Sequence, residues 1–392
     1  MDAVTNPFEP GAGRPPAALV GRDDSVSHWQ TQLRRVEAGR SGRPVVLYGL
    51  RGVGKTVLLT RLAKEAEERS WMVAQLEAGT GKSMRFSLSE KLQGPIADVA
   101  LPTAGRKLLR AIKTAASFFR LSYDASAGTF TYDLDLSSIG GGGADSGQLE
   151  ADLNKLILDL SEAAREQGRG LAILIDEAQD LHADELVAIC VAAHLVSQQG
   201  TACVIALAGL PSLPRVLSEA KSYAERLFDF QEVERLGDEA ARRALTTPAE
   251  VEGVAWDPEA VDFVVDRTAG YPYFLQQYGQ ETWNQAEGPS LTLIDARIGA
   301  ERAQLALDTG FFRSRWERAT PSEKRYLRAM APDGDSGSSA WEIADRLKTK
   351  TSSLGPVRAG LIGKGLIYAP AHGRVAFTVP GMSDFINRQI LE

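Results

Sequence analysis

Apolar residues gather in short unbroken runs along this chain rather than alternating with polar ones. Pro44-Val45-Val46-Leu47-Tyr48, Leu171-Ala172-Ile173-Leu174-Ile175 and Ala202-Cys203-Val204-Ile205-Ala206-Leu207-Ala208 are such runs, and Trp71-Met72-Val73-Ala74-Gln75-Leu76, broken by Gln75, looks like a further strand. A strand covered on both faces has this signature, as in parallel sheets. Stretches with helical spacing lie between them, at Ser25–Glu37, about Lys55–Arg69 and Gln148–Gln167, with another after Asp176-Glu177. Strands alternating with helices predict an α/β fold built on a doubly wound parallel sheet. From Gly237 to about Arg318 the pattern is helical with loops, and the remaining C-terminal stretch reads as a separate unit.

The stretch 80–148 is less regular and carries no function legible from its residues. Arg106 to Arg120 is basic and amphipathic, with Leu108, Leu109, Ile112, Phe118 and Phe119 set against Arg106, Lys107, Arg110, Lys113 and Arg120. Such a segment either touches DNA or a membrane surface, or simply packs its apolar stripe, which is the commoner outcome. Residues 121–124 and 129–136 flank Ser126-Ala127-Gly128, a hairpin signal, and Gly140-Gly141-Gly142-Gly143 is a flexible break. Residues 1–18, with Pro10, Pro15 and Pro16, read as an extended arm.

A chain of 392 residues predicts two or three domains. Its 44% hydrophobic and 24% charged content excludes a wholly disordered or collagen-like chain. There is no apolar run of about 18 residues and no secretory apolar core near the start, so a cytoplasmic protein without membrane contact is expected. Cys190 and Cys203 sit among apolar neighbours and read as buried thiols in a reducing compartment. The net charge is −7, but residues 320–392 hold ten Lys/Arg against seven Asp/Glu, leaving −10 on the remainder. A slightly basic tail on an acidic body points weakly to nucleic acid.

The sharpest signal is Gly49-Leu50-Arg51-Gly52-Val53-Gly54-Lys55-Thr56, which has the spacing G-x-x-x-x-G-K-[ST] between an apolar strand and a helix. Glycines let successive backbone N–H groups curl around phosphates, and the helix start adds partial positive charge. Lys55 is placed to reach the β- and γ-phosphates and the Thr56 hydroxyl to bind Mg²⁺. Gly49, Gly52, Val53, Gly54, Lys55 and Thr56 are therefore the expected phosphate cradle for ATP. Gly81-Lys82-Ser83 mimics its ending but lacks the first glycine. Asp176, closing an apolar strand, is expected to hold Mg²⁺ together with Thr56. Glu177 beside it is expected to polarise the attacking water as general base. Asp180 reads as a helix-start acid.

With both motifs in place, the chain resembles AAA+-type P-loop ATPases of the initiator/origin-recognition-like group, which border the STAND regulatory ATPases. Leu19-Val20-Gly21-Arg22-Asp23 is similar to their V-G-R-[DE] box, which implies that Val20, Gly21 and Arg22 lie against the adenine. Ser222-Tyr223-Ala224-Glu225-Arg226-Leu227-Phe228, before a strand-like Phe230-Gln231-Glu232-Val233, is similar to the stretch that offers an arginine finger to a neighbouring subunit. Arg226 is the implied finger and a structural ion pair is its other reading. Thr268-Ala269-Gly270-Tyr271-Pro272-Tyr273-Phe274 resembles the Gly-x-Pro lid motif, which implies that Pro272 sits near the nucleotide. Two departures remove expected γ-phosphate contacts and predict slow hydrolysis. The run 202–208 ends in Ala208-Gly209-Leu210-Pro211 instead of a polar residue, and Tyr273 stands where the group has a lid arginine.

In the tail, helices are expected at Pro321–Met330, at Ser338–Leu347 with Ser338 as cap and Trp341 and Ile343 turned inward, and from Ser352 or Ser353 to Gly365. Residues 366–369 and 374–379 flank Pro370-Ala371-His372-Gly373 as a hairpin, with His372 a turn residue. This order resembles a winged helix-turn-helix. Duplex DNA would then meet Lys348, Lys350, Ser352, Ser353 and Arg358 on the reading helix and Arg374 on the wing. A protein-docking winged helix is the alternative. The expected organisation is an arm (1–18), a P-loop ATPase domain (19–236), a helical lid (237–319) and a winged helix (320–392). The first functional expectation is an ATP-hydrolysing, DNA-associated module that self-associates through its ATPase domain. The second is a STAND-like switch with slow hydrolysis and a protein partner. A transposition-associated ATPase forming DNA filaments is a third.

Overall fold

The computed structural model describes residues 1–79, 81–99, 106–119, 121–124, 129–132 and 144–389. Five strands build the central sheet: β1 (Val45–Tyr48), β2 (Met72–Glu77), β3 (Leu171–Asp176), β4 (Cys203–Gly209) and β5 (Asp229–Glu232). Their order across the sheet is β2-β3-β4-β1-β5, and every pair is parallel. The unbroken apolar runs are explained by the two faces. In β3, Leu171, Ile173 and Ile175 enter one core while Ala172 and Leu174 enter the other, and β4 divides its residues the same way. Helices Asp23–Glu37 and Lys55–Glu67 cover the second face, and helices Met84–Val99, Arg106–Phe119, Leu149–Glu166 and Ala183–Gln199 the first.

The basic helix 106–119 packs. Leu108, Ala111, Ile112, Ala115 and Phe118 are buried, whereas Leu109 is 48% exposed and does not belong to the apolar stripe. Lys107 lies 3.0 Å from Glu162 and 3.1 Å from Glu166, and Arg110 pairs with Asp159 and Glu162. The acidic helix 149–166 thus neutralises this basic face, which leaves neither Lys107 nor Arg110 free for DNA or a membrane. Residues 121–124 and 129–132 pair antiparallel, with Leu121 opposite Tyr132. Arg120, the turn at 126–128 and the glycines 140–143 lie outside the described residues. Cys190 and Cys203 are buried free thiols.

Helices Asp238–Val251, Pro258–Thr268, Pro272–Gln285 and Leu293–Ala306 form a helical unit after the sheet. A π-helical turn, Leu307–Phe312, leads through Arg313–Glu317 into the C-terminal unit. That unit contains helices Pro321–Met330, Ala340–Arg346, Gly355–Gly363 and Met382–Arg388, and a three-stranded antiparallel sheet in the order 338–339, 374–377, 367–368. One apolar core runs through this helical unit and the C-terminal unit, and Phe312 stacks on Phe385 at 5.4 Å across the junction. Three local expectations are corrected. Ser339, not Ser338, caps the second helix: its hydroxyl accepts from Glu342 N at 3.4 Å, and its N–H donates to the Glu342 carboxylate at 3.0 Å. Trp341 is 66% exposed, while Ile343 on the same helix is fully buried. Neither Ser352 nor Ser353 caps the third helix, since a 3-10 turn over Thr351–Leu354 absorbs them.

Residues 1–18 are held against the helical unit 238–306. Phe8 is fully buried and meets Trp256 edge-on at 6.2 Å. Trp283 Nε1 donates to Asp2 O at 2.9 Å, and Asn6 Nδ2 to Gln280 O at 3.1 Å. No helix among the described residues is long and apolar enough to cross a membrane.

Candidate active site

The site forms where β1, β3 and β4 end. Gly49 follows β1, and its N–H donates to Gly209 O at 3.1 Å; a Cβ at Gly49 would collide with Val233 O. Gly52 (φ +87°) and Gly54 (φ +95°) occupy the left-handed region that the curl of the loop requires. Gly54 caps the helix starting at Lys55, so the loop leads directly to a helix N-terminus. Lys55 is buried, and its Nζ donates to Gly49 O at 2.9 Å and Leu50 O at 2.8 Å. Burial lowers its ammonium pKa to about 8, against the pull of Glu177 and Asp176.

Asp176 is 6% exposed. Burial pushes its carboxyl above the usual range, while bonds from the Thr56 hydroxyl and the Glu177 N–H (2.8 Å) oppose that shift. An alcohol and a carboxylate on adjoining elements are the hard oxygen donors a magnesium ion takes when it keeps most of its waters. The residues present therefore fit Mg²⁺. Glu177 is held in left-handed backbone at φ +48°, a strained conformation for a residue with a side chain. Both of its carboxylate oxygens are engaged. Oε1 lies 3.3 Å from Arg51 Nη1, and Oε2 accepts from Gln179 Nε2 at 2.6 Å.

Gln179 is a residue sequence reasoning missed. Its Oε1 accepts from Leu210 N at 2.9 Å, and it fills the space a Cβ at Gly209 would need. A polar group therefore does stand at the end of β4, supplied by the turn after β3. Its position two residues after Glu177 was the available signal. Asp180 ends that same 3-10 turn; the following helix begins at Ala183 and is boxed by Glu185, whose carboxylate accepts from His182 N at 3.1 Å.

A cavity of about 550 Å³ opens above the loop. Lys55, Thr56 and Glu177 line its floor, Val20, Arg22, Leu236 and Pro272 its sides, and residues 9–14 of the arm its mouth. Val20, Gly21 and Arg22 thus lie beside the cradle. Arg22, just before helix Asp23–Glu37, donates to Val53 O at 2.9 Å and Glu234 O at 2.6 Å, which ties the start of that helix to the loop. Tyr271 packs on Gly52 and its buried hydroxyl has no partner. Arg226 does not line the cavity; it is exposed on helix Ala224–Leu227, and its side chain makes no hydrogen bond or ion pair among the described residues.

The tail cations are placed differently. Lys348, in left-handed backbone, lies 3.3 Å from Asp345. Arg374 donates to the carbonyls of Ser336 (3.3 Å) and Gly337 (3.2 Å), and Arg358 Nε is buried without a partner. Lys350, Ser352 and Ser353 are exposed, with Ser353 Oγ donating to Lys350 O at 2.7 Å.

Family comparison agrees with this geometry: the AAA ATPase domain family matches residues 18–205. Every residue of the loop and the acidic pair at 176–177 lies within that matched stretch. A second family, described as a domain of unknown function (DUF8462), matches residues 309–386. No curated protein matches the sequence. Among solved structures, the Walker-type ATPase PABY2304 of Pyrococcus abyssi is similar over 95% of this chain and 98% of its own, with 17% identity and a TM-score of 0.60. That likeness carries the P-loop fold of the AAA ATPase domain and its C-terminal additions. Weaker likeness extends to the Orc1 protein of Aeropyrum pernix solved with DNA (15% identity, 95% and 93% covered, TM-score 0.43). RuvB of Thermotoga maritima is similar at 13% identity, with 91% and 92% covered and a TM-score of 0.47.

Proposed function

We propose that this protein is an ATP-driven switch: its AAA ATPase domain binds and hydrolyses Mg²⁺-ATP, and nucleotide state sets the position of a C-terminal winged helix. One observation carries the reading. Arg51, inside the phosphate loop, donates its N–H to Thr378 O of the C-terminal unit at 3.0 Å, while its guanidinium holds Glu177. A triphosphate entering the loop competes for both contacts, so the unit at 320–389 cannot ignore it.

In the proposed reaction, Lys55 leaves the carbonyls of Gly49 and Leu50 for the β- and γ-phosphates. Thr56 and Asp176 would hold Mg²⁺, which supplies neutralisation of charge on the phosphate oxygens. Glu177, freed from Arg51, accepts a proton from the water that attacks the γ-phosphorus as the bond to ADP breaks. With both Glu177 oxygens engaged in the resting state, slow turnover is the expected behaviour. Arg226, its exposed side chain unpaired, would act on the nucleotide of a second copy, and Pro272 would carry lid movement.

The partner of the winged helix is the open point. DNA contact through Lys348, Lys350, Ser352, Ser353, Arg358 and Arg374 is one reading. The pairing of Lys348 and Arg374 and the burial of Arg358 Nε favour the second, a STAND-like switch with a protein partner, because of these cations only Lys350 is both exposed and unpaired. ATPase rate with and without random duplex DNA, and a gel-shift across a salt series, separate the two. Stimulation with a steep salt slope supports DNA, since each phosphate contact releases a counterion. A flat, undetectable response supports the protein partner.

A further inference from the structure

The lid helix offers Tyr273 rather than a cation to the cavity, yet a cation stands there from elsewhere. Arg315 lines the same cavity as Lys55, Thr56 and Glu177. It belongs to helix Arg313–Glu317, at the junction between lid and C-terminal unit. Its guanidinium lies 3.9 Å from the centre of the Phe311 ring, and Nη1 donates to Phe311 O at 2.7 Å. No carboxylate pairs with it among the described residues. Burial, and then the neighbouring Arg51, hold its guanidinium below the ordinary value, so two like charges face one partly dry space. Beside them, Arg51 Nε and the Tyr271 hydroxyl are buried donors without acceptors. Donors in this state gain most from an anion carrying several oxygens.

We infer that Arg315 is the residue that reads the terminal phosphate of the bound nucleotide, in the place the lid helix leaves empty. This rests on the ATP site proposed above and deepens it. A planar guanidinium suits bidentate contact with phosphate oxygens. The π-helical turn before it, Leu307–Phe312, presents Gly310 and Phe311 to the same cavity. Phe311 stacks on Tyr273 at 4.6 Å, and Phe312 on Phe385 at 5.4 Å. Arg318, three residues on, donates to Lys364 O at 2.8 Å. Movement of Arg315 toward a γ-phosphate is therefore handed to the lid and to the C-terminal unit at once, which ADP does not elicit.

The experiment is calorimetric titration of the full chain with Mg²⁺-ATP and with Mg²⁺-ADP, for the natural protein, Arg315→Ala and Arg315→Lys. Loss of one charge-assisted contact predicts at least an about tenfold drop in ATP affinity for Arg315→Ala, with ADP affinity changed less than about twofold. Arg315→Lys is expected to keep part of the ATP preference. A purely structural role would shift thermal stability and leave the ATP-to-ADP ratio unmoved. An unchanged ratio in Arg315→Ala overturns the inference, as does an equal loss for both nucleotides. If Arg315→Ala does not fold, full ATP preference in Arg315→Lys overturns it, because a lysine cannot make the bidentate contact. If the natural protein binds neither nucleotide, the site reading itself falls; if it binds both equally, only the role of Arg315 does.

Discussion

At the phosphate loop, Arg51, Lys55 and Arg315 converge on one cavity with Glu177, and several of their bonds go to backbone carbonyls or to nothing. In the C-terminal unit three cations of the same types are paired with carboxylates. Arg346 Nη2 lies 2.6 Å from Asp333, Lys364 Nζ 2.6 Å from Glu323, and Lys348 3.3 Å from Asp345. The first region gathers buried donors that lack acceptors, whereas these three cations of the second have carboxylate partners. Unsatisfied buried donors cost free energy that a fold tolerates where a ligand repays it. Side chains already paired on a surface are worth little and ask for no ligand.

The contrast can be broken at its strongest point first. Glu177→Gln is expected to lower turnover by about 10²- to 10⁴-fold, the usual contribution of a positioned base, with ATP affinity nearly unchanged. Persisting hydrolysis in a single-turnover assay would move the base elsewhere. Next, Lys55→Ala removes a charged contact to two phosphates and should weaken ATP binding by about 100-fold in calorimetry. Unchanged affinity would sink the phosphate-loop assignment.

A third test uses pH. Lys55 sits at about 8 in the empty cavity because burial favours its neutral amine. The triphosphate favours the ammonium, so ATP binding should take up a proton above pH 8 and affinity should fall by up to about tenfold per unit there. Calorimetry in buffers of different ionisation enthalpy measures that uptake. The sign for stability is opposite: the unfolded chain binds this proton more tightly, so Lys55 makes the fold more stable as pH rises from about 8 toward the ordinary lysine value. The smallest effect is expected where the two regions touch. Gly365 has φ +63°, and a Cβ there would come 2.8 Å from Arg51 Nη2. Gly365→Ala should cost about 1 kcal/mol in thermal unfolding. Gly288→Ala, with open space and no left-handed backbone, should be near neutral. Equal effects would mean that the contact between loop and C-terminal unit has no energetic weight.

The sequence carried the loop and the strands unevenly. Residues 45–48, 171–176 and 203–209 announce themselves because burial on both faces forbids polar interruptions, and the glycine spacing at 49–56 announces the turn between strand and helix. β5 was only hinted at, since an edge strand with Asp229, Gln231 and Glu232 has one covered side and a mixed pattern. The roles of Gln179, Arg51 and Arg315 were not legible, because each depends on a partner far along the chain or on a turn geometry that no local period encodes. Trp341 misled for a similar reason. Apolar character at helical spacing says that a residue prefers burial, and the packing at Ile343 was satisfied without it. Where the arm is held was not legible because its proline content speaks of backbone shape, whereas Phe8, Asp2 and Asn6 meet partners about 250 to 280 residues away.

Three remote segments press on the eight-residue turn that starts at Gly49: Gly13 lies against Thr56, Tyr271 against Gly52, and Thr378 binds Arg51. Contacts of such long sequence separation form late. During synthesis the cradle must wait for residue 378 to emerge before its surroundings exist. Tight nucleotide capture would then report that residue 378 has docked, and a chain in which it has not would leave the loop without that cover.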